Sequence, residues 1–474
     1  MALNRRRFVA RAAAALATHS LLARADAPGT PTLDGAALRR LASKFSGTLI
    51  TSASPDYESS RHVFNRAFDK HPALIARCAD ASDVARTLAF AREQRLPLAV
   101  RGGGHNRAGL SVCDGGVVID LASLSHVAVD PDKRLARAGA GALTIHVDVA
   151  TQQFGLATTL AGCPTVGVAG LTLGGGEGFL MSKFGAACDN LISARLVTAD
   201  GREIEASDRS NPDLYWAIRG GGGNFGIATA LEYRLHPLTN VLAGTLAFAP
   251  GRIETLLGEF ARFIAHAPDD LGLVGQVLPA DTGARFQVLV CHAGDPAQGN
   301  QLLQPWRALG PAEDKIRTAP YLEINSTMNP AMAAAHFQTN VFVRELDEKI
   351  IGIVVNAAAE APPNTRVFMV PFYGAVTRVH PTATAFALRS VGCELDIMGR
   401  WDETGRDKAR VVAWVAALRD ALRPHSAGAY VNQLGETSPE LVRSAYGSNY
   451  ARLASLKKKY DPDNVLRSNQ NIPA

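Results

Sequence analysis

Apolar residues in this chain follow two periodicities, and the places where one gives way to the other divide it into lobes. Val84, Leu88 and Ala91 recur on one helical face behind Ser82-Asp83. This predicts a helix capped at that pair and ended by Pro97. Leu98-Ala99-Val100 then predicts a short strand that delivers the chain into Arg101-Gly102-Gly103-Gly104-His105. Val117-Val118-Ile119 reads as a buried strand, and Arg195-Leu196-Val197-Thr198 as a strand running into an Asp200-Gly201 hairpin turn. Ile227, Thr229, Leu231, Tyr233 and Leu235 alternate with smaller or polar residues, which predicts a strand closing this half near His236-Pro237.

Between about residues 240 and 425 the glycine clusters disappear. Apolar strands such as Phe286-Gln287-Val288-Leu289-Val290 there alternate with helical stretches such as residues 410–422. The pattern predicts an antiparallel sheet with helices on one face, forming a second, substrate-binding lobe and making the fold α+β. A last helix places Leu453, Leu456 and Tyr460 on one stripe, gathers Lys457, Lys458 and Lys459 in its final turn and stops at Asp461-Pro462. The lysine run reads as a solvated helix end. The expected divisions are 1–27 (leader), 28–238 (two α/β subdomains), 239–428 (substrate lobe) and 429–474 (a segment returning to the first lobe).

The chain of 474 residues is 47% hydrophobic and 20% charged, an ordinary soluble composition. Its net charge of +5 resembles a nucleic-acid signal only until it is located. Residues 1–27 hold five arginines and one aspartate, so the remainder carries close to zero net charge, and there is no case for nucleic-acid binding. Asn4-Arg5-Arg6-Arg7-Phe8-Val9 fits a twin-arginine export signal, followed by an apolar stretch to Leu22 and small-residue cleavage sites. That stretch, interrupted by Arg11, is short for a membrane span, so the expectation is a removed signal peptide and a periplasmic or secreted product free of the membrane. The alternative is an alanine-rich amphipathic first helix. Six cysteines (78, 113, 163, 188, 291, 393) show no metal-ligand spacing, so no metal is expected. All but Cys163 read as buried small hydrophobes or a disulfide.

His105 and Cys163, the latter in Ala161-Gly162-Cys163-Pro164-Thr165-Val166-Gly167, each offer a nucleophile beside a glycine-dense loop. Glycine lacks the Cβ that keeps a backbone away from a large anionic cofactor, and successive N–H groups can cradle a pyrophosphate. An imidazole and a thiol placed to attack such a dinucleotide point to flavin. Gly221-Gly222-Gly223-Asn224-Phe225-Gly226 satisfies G-x-G-x-x-G, yet it follows a helix-like segment and precedes a strand. A nicotinamide fingerprint needs strand, loop and helix in that order, so that reading is rejected.

These loops, with Gly170-Leu-Thr-Leu-Gly-Gly-Gly-Glu-Gly178, Asp189-Asn190, the run from Arg219 to Gly226, Tyr446-Gly-Ser-Asn-Tyr450 and Tyr460-Asp-Pro-Asp-Asn464, resemble the berberine bridge enzyme-like FAD-linked oxidases. That family has a p-cresol methylhydroxylase/vanillyl-alcohol oxidase-type FAD domain. The resemblance runs from about Pro55 to Leu238 and resumes from Tyr430 to Pro473. It implies FAD held bicovalently, His105 on the 8α-methyl and Cys163 on C6, with the imidazole neutral and the thiol as thiolate. Arg101, Gly102, Gly103, Gly104, Asn106, Val166, Gly167, Gly170, Gly174, Gly175 and Gly178 would line it, and Asn449 and Tyr450 would close it from the C-terminal segment.

Similar enzymes carry an acid or amide on a substrate-lobe strand a few residues before a tryptophan. Glu394-Leu-Asp396-Ile-Met-Gly-Arg-Trp401 fits, with Glu394 and Asp396 on one face. Asp396 is the first candidate base, unless it is a solvent-facing edge or pairs with Arg389 or Arg400. Tyr430 is the second candidate, or else orients substrate or packs. In sugar-oxidising members a tyrosine commonly stands where this chain has Gln433, which argues against sugar oxidation by that route. In similar proteins a small side chain at the position of Val166 leaves room for O2 above the flavin and a leucine hinders it, so the resemblance implies an oxidase producing H2O2, unless Val166 is simply a core valine. The expected activity is hydride removal from an alcohol, saccharide or phenolic substrate by a monomer. The alternatives are a tailoring enzyme or dehydrogenase of secondary metabolism, or a flavin-loaded binding protein without turnover.

Overall fold

The computed structural model of the protein describes residues 33–327 and 334–473. The expected export leader lies outside them. The first lobe holds two sheets. In the smaller, Thr48–Ile50, Leu74–Arg77, Val117–Asp120 and Leu98–Arg101 lie side by side in that order, the last three mutually parallel. Parallel neighbours need a crossover, which the helix Ala81–Glu93 supplies between the second and fourth of these strands. Its cap is Asp80, whose side chain accepts from the Asp83 backbone N–H at 2.8 Å, and not the Ser82-Asp83 pair expected from sequence. Asp83 serves tertiary structure instead. Its fully buried carboxylate accepts from the backbone N–H groups of Ser46, Gly47 and Ala79.

The second sheet is antiparallel, with the strands Val127–Asp130, Leu135–Gly139, Ile227–Arg234, Leu191–Val197 and Glu203–Ser207 in that order. The Asp200-Gly201 turn joins the last two, and Gly201 supplies the positive φ of 87° that it requires. The order is helix Pro212–Ile218, glycine turn, strand Ile227–Arg234, so the fingerprint-like glycines do not form a nicotinamide site.

The second lobe, expected from sequence to bind the substrate and called the substrate lobe on that expectation, is built on one eight-stranded antiparallel sheet. Its main path runs Glu313–Asp314, Asn240–Ala247, Gly283–His292, Leu271–Ala280, Thr365–Phe372, Gly392–Trp401, Ala335–Val343. Period-2 alternation divides its side chains. Val341, Val367, Leu395 and Ile397 enter a core with Leu256, Ile350 and Trp414 from the helices Ile253–Ile264, Glu348–Ala359 and Lys408–Leu422. Gln338, Arg366, Asp396 and Arg400 are left on the opposite face, toward the first lobe.

From Ala429 onward the chain packs into the core of the first lobe through Val431, Leu434, Val442, Leu453 and Leu456. The lysine run is not uniformly solvated. Lys457 is fully buried, donating to Asp461 Oδ2 at 2.7 Å, to the Leu466 carbonyl at 2.9 Å and to the Asn224 carbonyl at 3.1 Å. Three acceptors compensate the desolvated ammonium, and they tie the tail to the glycine turn around Asn224. All six cysteines are free, and Cys113 is only partly buried.

Candidate active site

A cavity of about 700 Å³ separates the two lobes. On its first-lobe side the strand Leu98–Arg101 is anchored by Arg101, whose Nη2 donates to Asp120 Oδ2 at 3.0 Å across the sheet. Beyond that anchor the two glycine loops meet backbone to backbone. A Cβ on Gly103 would come within 2.3 Å of the Gly167 nitrogen, and one on Gly167 within 2.3 Å of the Gly103 nitrogen. No side chain fits at either position, so this contact sets the register of the loops.

The register brings His105 and Cys163 together. The Thr165 hydroxyl lies 3.0 Å from His105 Nε2 and 3.5 Å from Cys163 Sγ, so one oxygen bridges both nucleophiles. His105 also stacks on Phe64 with ring centroids 4.0 Å apart. Burial, reinforced by the Arg107 charge, pushes its pKa down to about 3, leaving a neutral imidazole at ordinary pH.

The cavity suits a polar dinucleotide. A Cβ on Gly170 or Gly223 would meet no protein atom within 4 Å and would project into open space. Ser111 Oγ, Asn469 Oδ1 and Gln470 Oε1, all on lining residues, are buried without a hydrogen-bond partner. Buried polar atoms of this kind need partners, which a bound ligand can supply.

The opposite wall is built from side chains. Asp396 is 5% exposed, and both its carboxylate oxygens accept from Gln338 Nε2 at 2.8 Å. Gln433 Oε1 accepts from Gln338 Nε2 at 2.8 Å and from Arg107 Nε at 3.1 Å, continuing the network. Burial raises the Asp396 pKa to about 6 against the lowering influence of Arg107, the Gln338 hydrogen bond and Arg366. A carboxyl poised there changes protonation near neutral pH. It pairs with neither Arg389 nor Arg400, since Arg389 is taken by Asp189 at 2.6 Å.

Glu394 shares Asp396's strand face but sits deeper, fully buried, and does not line the cavity. It interacts with Glu177, although no hydrogen bond of ordinary geometry joins them. Burial raises both carboxyls: Glu177 to about 8, with the Glu394 contact opposing the rise and the Asp396 charge adding to it, and Glu394 well above its usual value, with the Glu177 and Asp396 charges adding to burial. Tyr430 lines the cavity, its hydroxyl accepting from Gly176 N at 2.9 Å and Asn432 Nδ2 at 2.8 Å. Burial nevertheless keeps its pKa well above the usual tyrosine value, so it remains a neutral phenol and is a poor base.

Of the remaining residues expected from sequence, Gly102, Gly103, Gly104, Asn106, Val166, Gly167, Gly170 and Gly178 line the cavity. Others lie off it. The Arg101 side chain is committed to Asp120. Gly174 and Gly175 make room for Asn432 and Phe386. Asn449 donates to the carbonyls of Pro381, Thr384 and Ala385, and Tyr450 stacks under Arg443. The tail instead contributes Tyr446, Leu466 and residues 468–470. Glu177, Arg107, Gln338 and Arg366 were not anticipated. Only Glu177 carried a signal, as the one charged residue in the run Gly174 to Gly178.

Residues 72–207 match the family described as FAD binding domain, and residues 429–473 the family described as berberine and berberine like. The FAD-linked oxidoreductase YgaK of Bacillus subtilis is 31% identical over 91% of this chain and 97% of its own length. The (R)-6-hydroxynicotine oxidase of Paenarthrobacter nicotinovorans is 31% identical over 90% of this chain and 96% of its own. The chain belongs to the berberine bridge enzyme-like FAD-linked oxidases. The 6-hydroxy-D-nicotine oxidase of Arthrobacter nicotinovorans superposes with a TM-score of 0.84 at 27% identity, covering 90% of this chain and 98% of that one. Berberine bridge enzyme from Eschscholzia californica shares the fold, with a TM-score of 0.83 at 23% identity over 92% of this chain and 98% of that one. The protein is thus a berberine bridge enzyme-like FAD-linked oxidoreductase. Both glycine loops lie within the residues that match the FAD binding domain.

Proposed function

We propose that this enzyme is an exported oxidase that removes a hydride from the CH–OH group of an alcohol, saccharide or phenolic substrate, with His105 and Cys163 both bonded to the cofactor. FAD, when bound, supplies the hydride acceptor N5 and passes the electrons to O2, giving H2O2. The observation that carries the reading is the convergence of His105 and Cys163 on one hydroxyl, across the cavity from Asp396. A neutral imidazole is the form needed for attachment.

Asp396 takes the substrate hydroxyl proton. Gln338 orients its carboxylate, and Arg107 steadies the charged form between turnovers. Tyr430, held by Gly176 and Asn432, orients the substrate as a neutral phenol. Val166, a small residue on the cavity wall, leaves room for O2. The relative named (R)-6-hydroxynicotine oxidase supports oxidase chemistry. Anaerobic mixing with a panel of alcohols, sugars and phenols tests the reading. At least one class should bleach the flavin, and Asp396→Asn should slow that bleaching by about 10²-fold. Bleaching by none of them, or an undiminished rate in the variant, refutes it.

A further inference from the structure

Two arginines on the substrate-lobe wall are not used by the reaction above. Arg366 lies on the strand Thr365–Phe372 in register with Met398, which places it one diagonal step from Arg400 on the strand Gly392–Trp401. Both line the cavity, on the sheet face that carries Asp396. Among the described residues neither makes an ion pair or a side-chain hydrogen bond, and the Nε atom of each is buried without a partner. The Phe368 ring, 5.7 Å from the Arg366 guanidinium, is a weak substitute.

Nearby groups do not neutralise the pair. Asp396 is shared first with Arg107 and Gln338. Glu177 and Glu394 are held protonated chiefly by burial, and His336, cross-strand from Arg400, is held neutral. Residues 328–333 contain no acidic side chain. Three guanidiniums therefore face one carboxylate, in a place where adjacent like charges repel more strongly than in water. An arginine donates through a planar fork that matches a carboxylate. The surroundings on the same wall, Phe368, Val370 and Met398, are apolar.

We propose that Arg366 and Arg400 form an oxyanion subsite, and that the substrate is a hydroxylated carboxylate with an apolar or aromatic body. The pair holds the carboxylate while the hydroxyl faces Asp396. This rests on the oxidase reading for the role of Asp396, but anion binding is measured without turnover, so the two can fail separately.

Calorimetric titration of the holoenzyme with benzoate, and with benzyl alcohol as its neutral counterpart, tests it at about pH 7.5, where carboxylates are ionised. Benzoate should bind at least about 10-fold more tightly than benzyl alcohol. Arg366→Gln combined with Arg400→Gln should abolish that preference with benzyl alcohol binding unchanged, whereas Arg400→Lys should retain part of it. If the double variant does not fold, Arg366→Gln alone should weaken benzoate selectively. Equal affinity for the two probes, or a preference that survives the double substitution, overturns the proposal. So does loss of flavin from a folded double variant, which would assign the arginines to the cofactor.

Discussion

The two walls of the cavity are built by opposite means. The first-lobe wall is backbone, with Gly103 and Gly167 in contact and Gly170 and Gly223 open to the cavity, and its reactive groups His105 and Cys163 are carried on loops fixed by that contact. The substrate-lobe wall is side chain. Asp396, Gln338, Arg366 and Arg400 project from three strands whose common face is set by period-2 alternation. A backbone wall tolerates few substitutions and suits a constant cofactor. A side-chain wall on a rigid sheet can change one residue at a time without disturbing the fold, as a variable substrate requires.

The largest effect should come from the backbone wall. Gly103→Val would drive a Cβ into the Gly167 backbone, where no flexible side chain can yield. The expected outcome is loss of flavin from the purified protein, read as the ratio of visible to ultraviolet absorbance. A variant that keeps its full flavin complement would show that the loops are not locked as described.

On the side-chain wall the effects should be graded. With the Asp396 pKa raised to about 6, the anaerobic bleaching rate should rise with pH, roughly tenfold per unit below that value, and level off above it. Asp396→Asn should remove this dependence, and a flat profile in the parent would remove Asp396 as base. The smallest effect concerns Glu177 and Glu394. Their folded-state pKa values lie above the unfolded ones, so their contribution to stability is fully present below the usual glutamate pKa and is lost as pH rises, for Glu177 through about 8. Glu394→Gln should flatten that decline and raise Tm by about 2–4 °C at the alkaline end. An unchanged melting profile would mean that the pair carries no such penalty.

The same contrast explains what the sequence made legible. Glycine spacing marks places where backbone must come close, so the His105 and Cys163 loops and most of the lining glycines could be read directly. Gly174 and Gly175 could not be told apart from them, because a glycine accommodating Asn432 or Phe386 looks the same in sequence as one facing a cofactor. On the sheet wall, alternation placed Glu394 and Asp396 on one face, yet depth within that face comes from tertiary packing. Gln338, Arg107 and Arg366 are brought to Asp396 from segments far apart in the chain, and no local pattern marks them. Lys457 was misread for a related reason. A lysine in the last turn of a helix is ordinarily solvated, and only the returning tail, with Asp461 and the Leu466 carbonyl, makes burial tolerable.

The central claim is that an imidazole and a thiol share one flavin ring, and acid precipitation tests it most directly. The yellow colour of the parent protein should stay with the denatured polypeptide. Cys163→Ala should retain it with an altered absorption spectrum, and Cys163→Ala combined with His105→Ala should release it to the supernatant. Colour released from the parent itself would contradict the account.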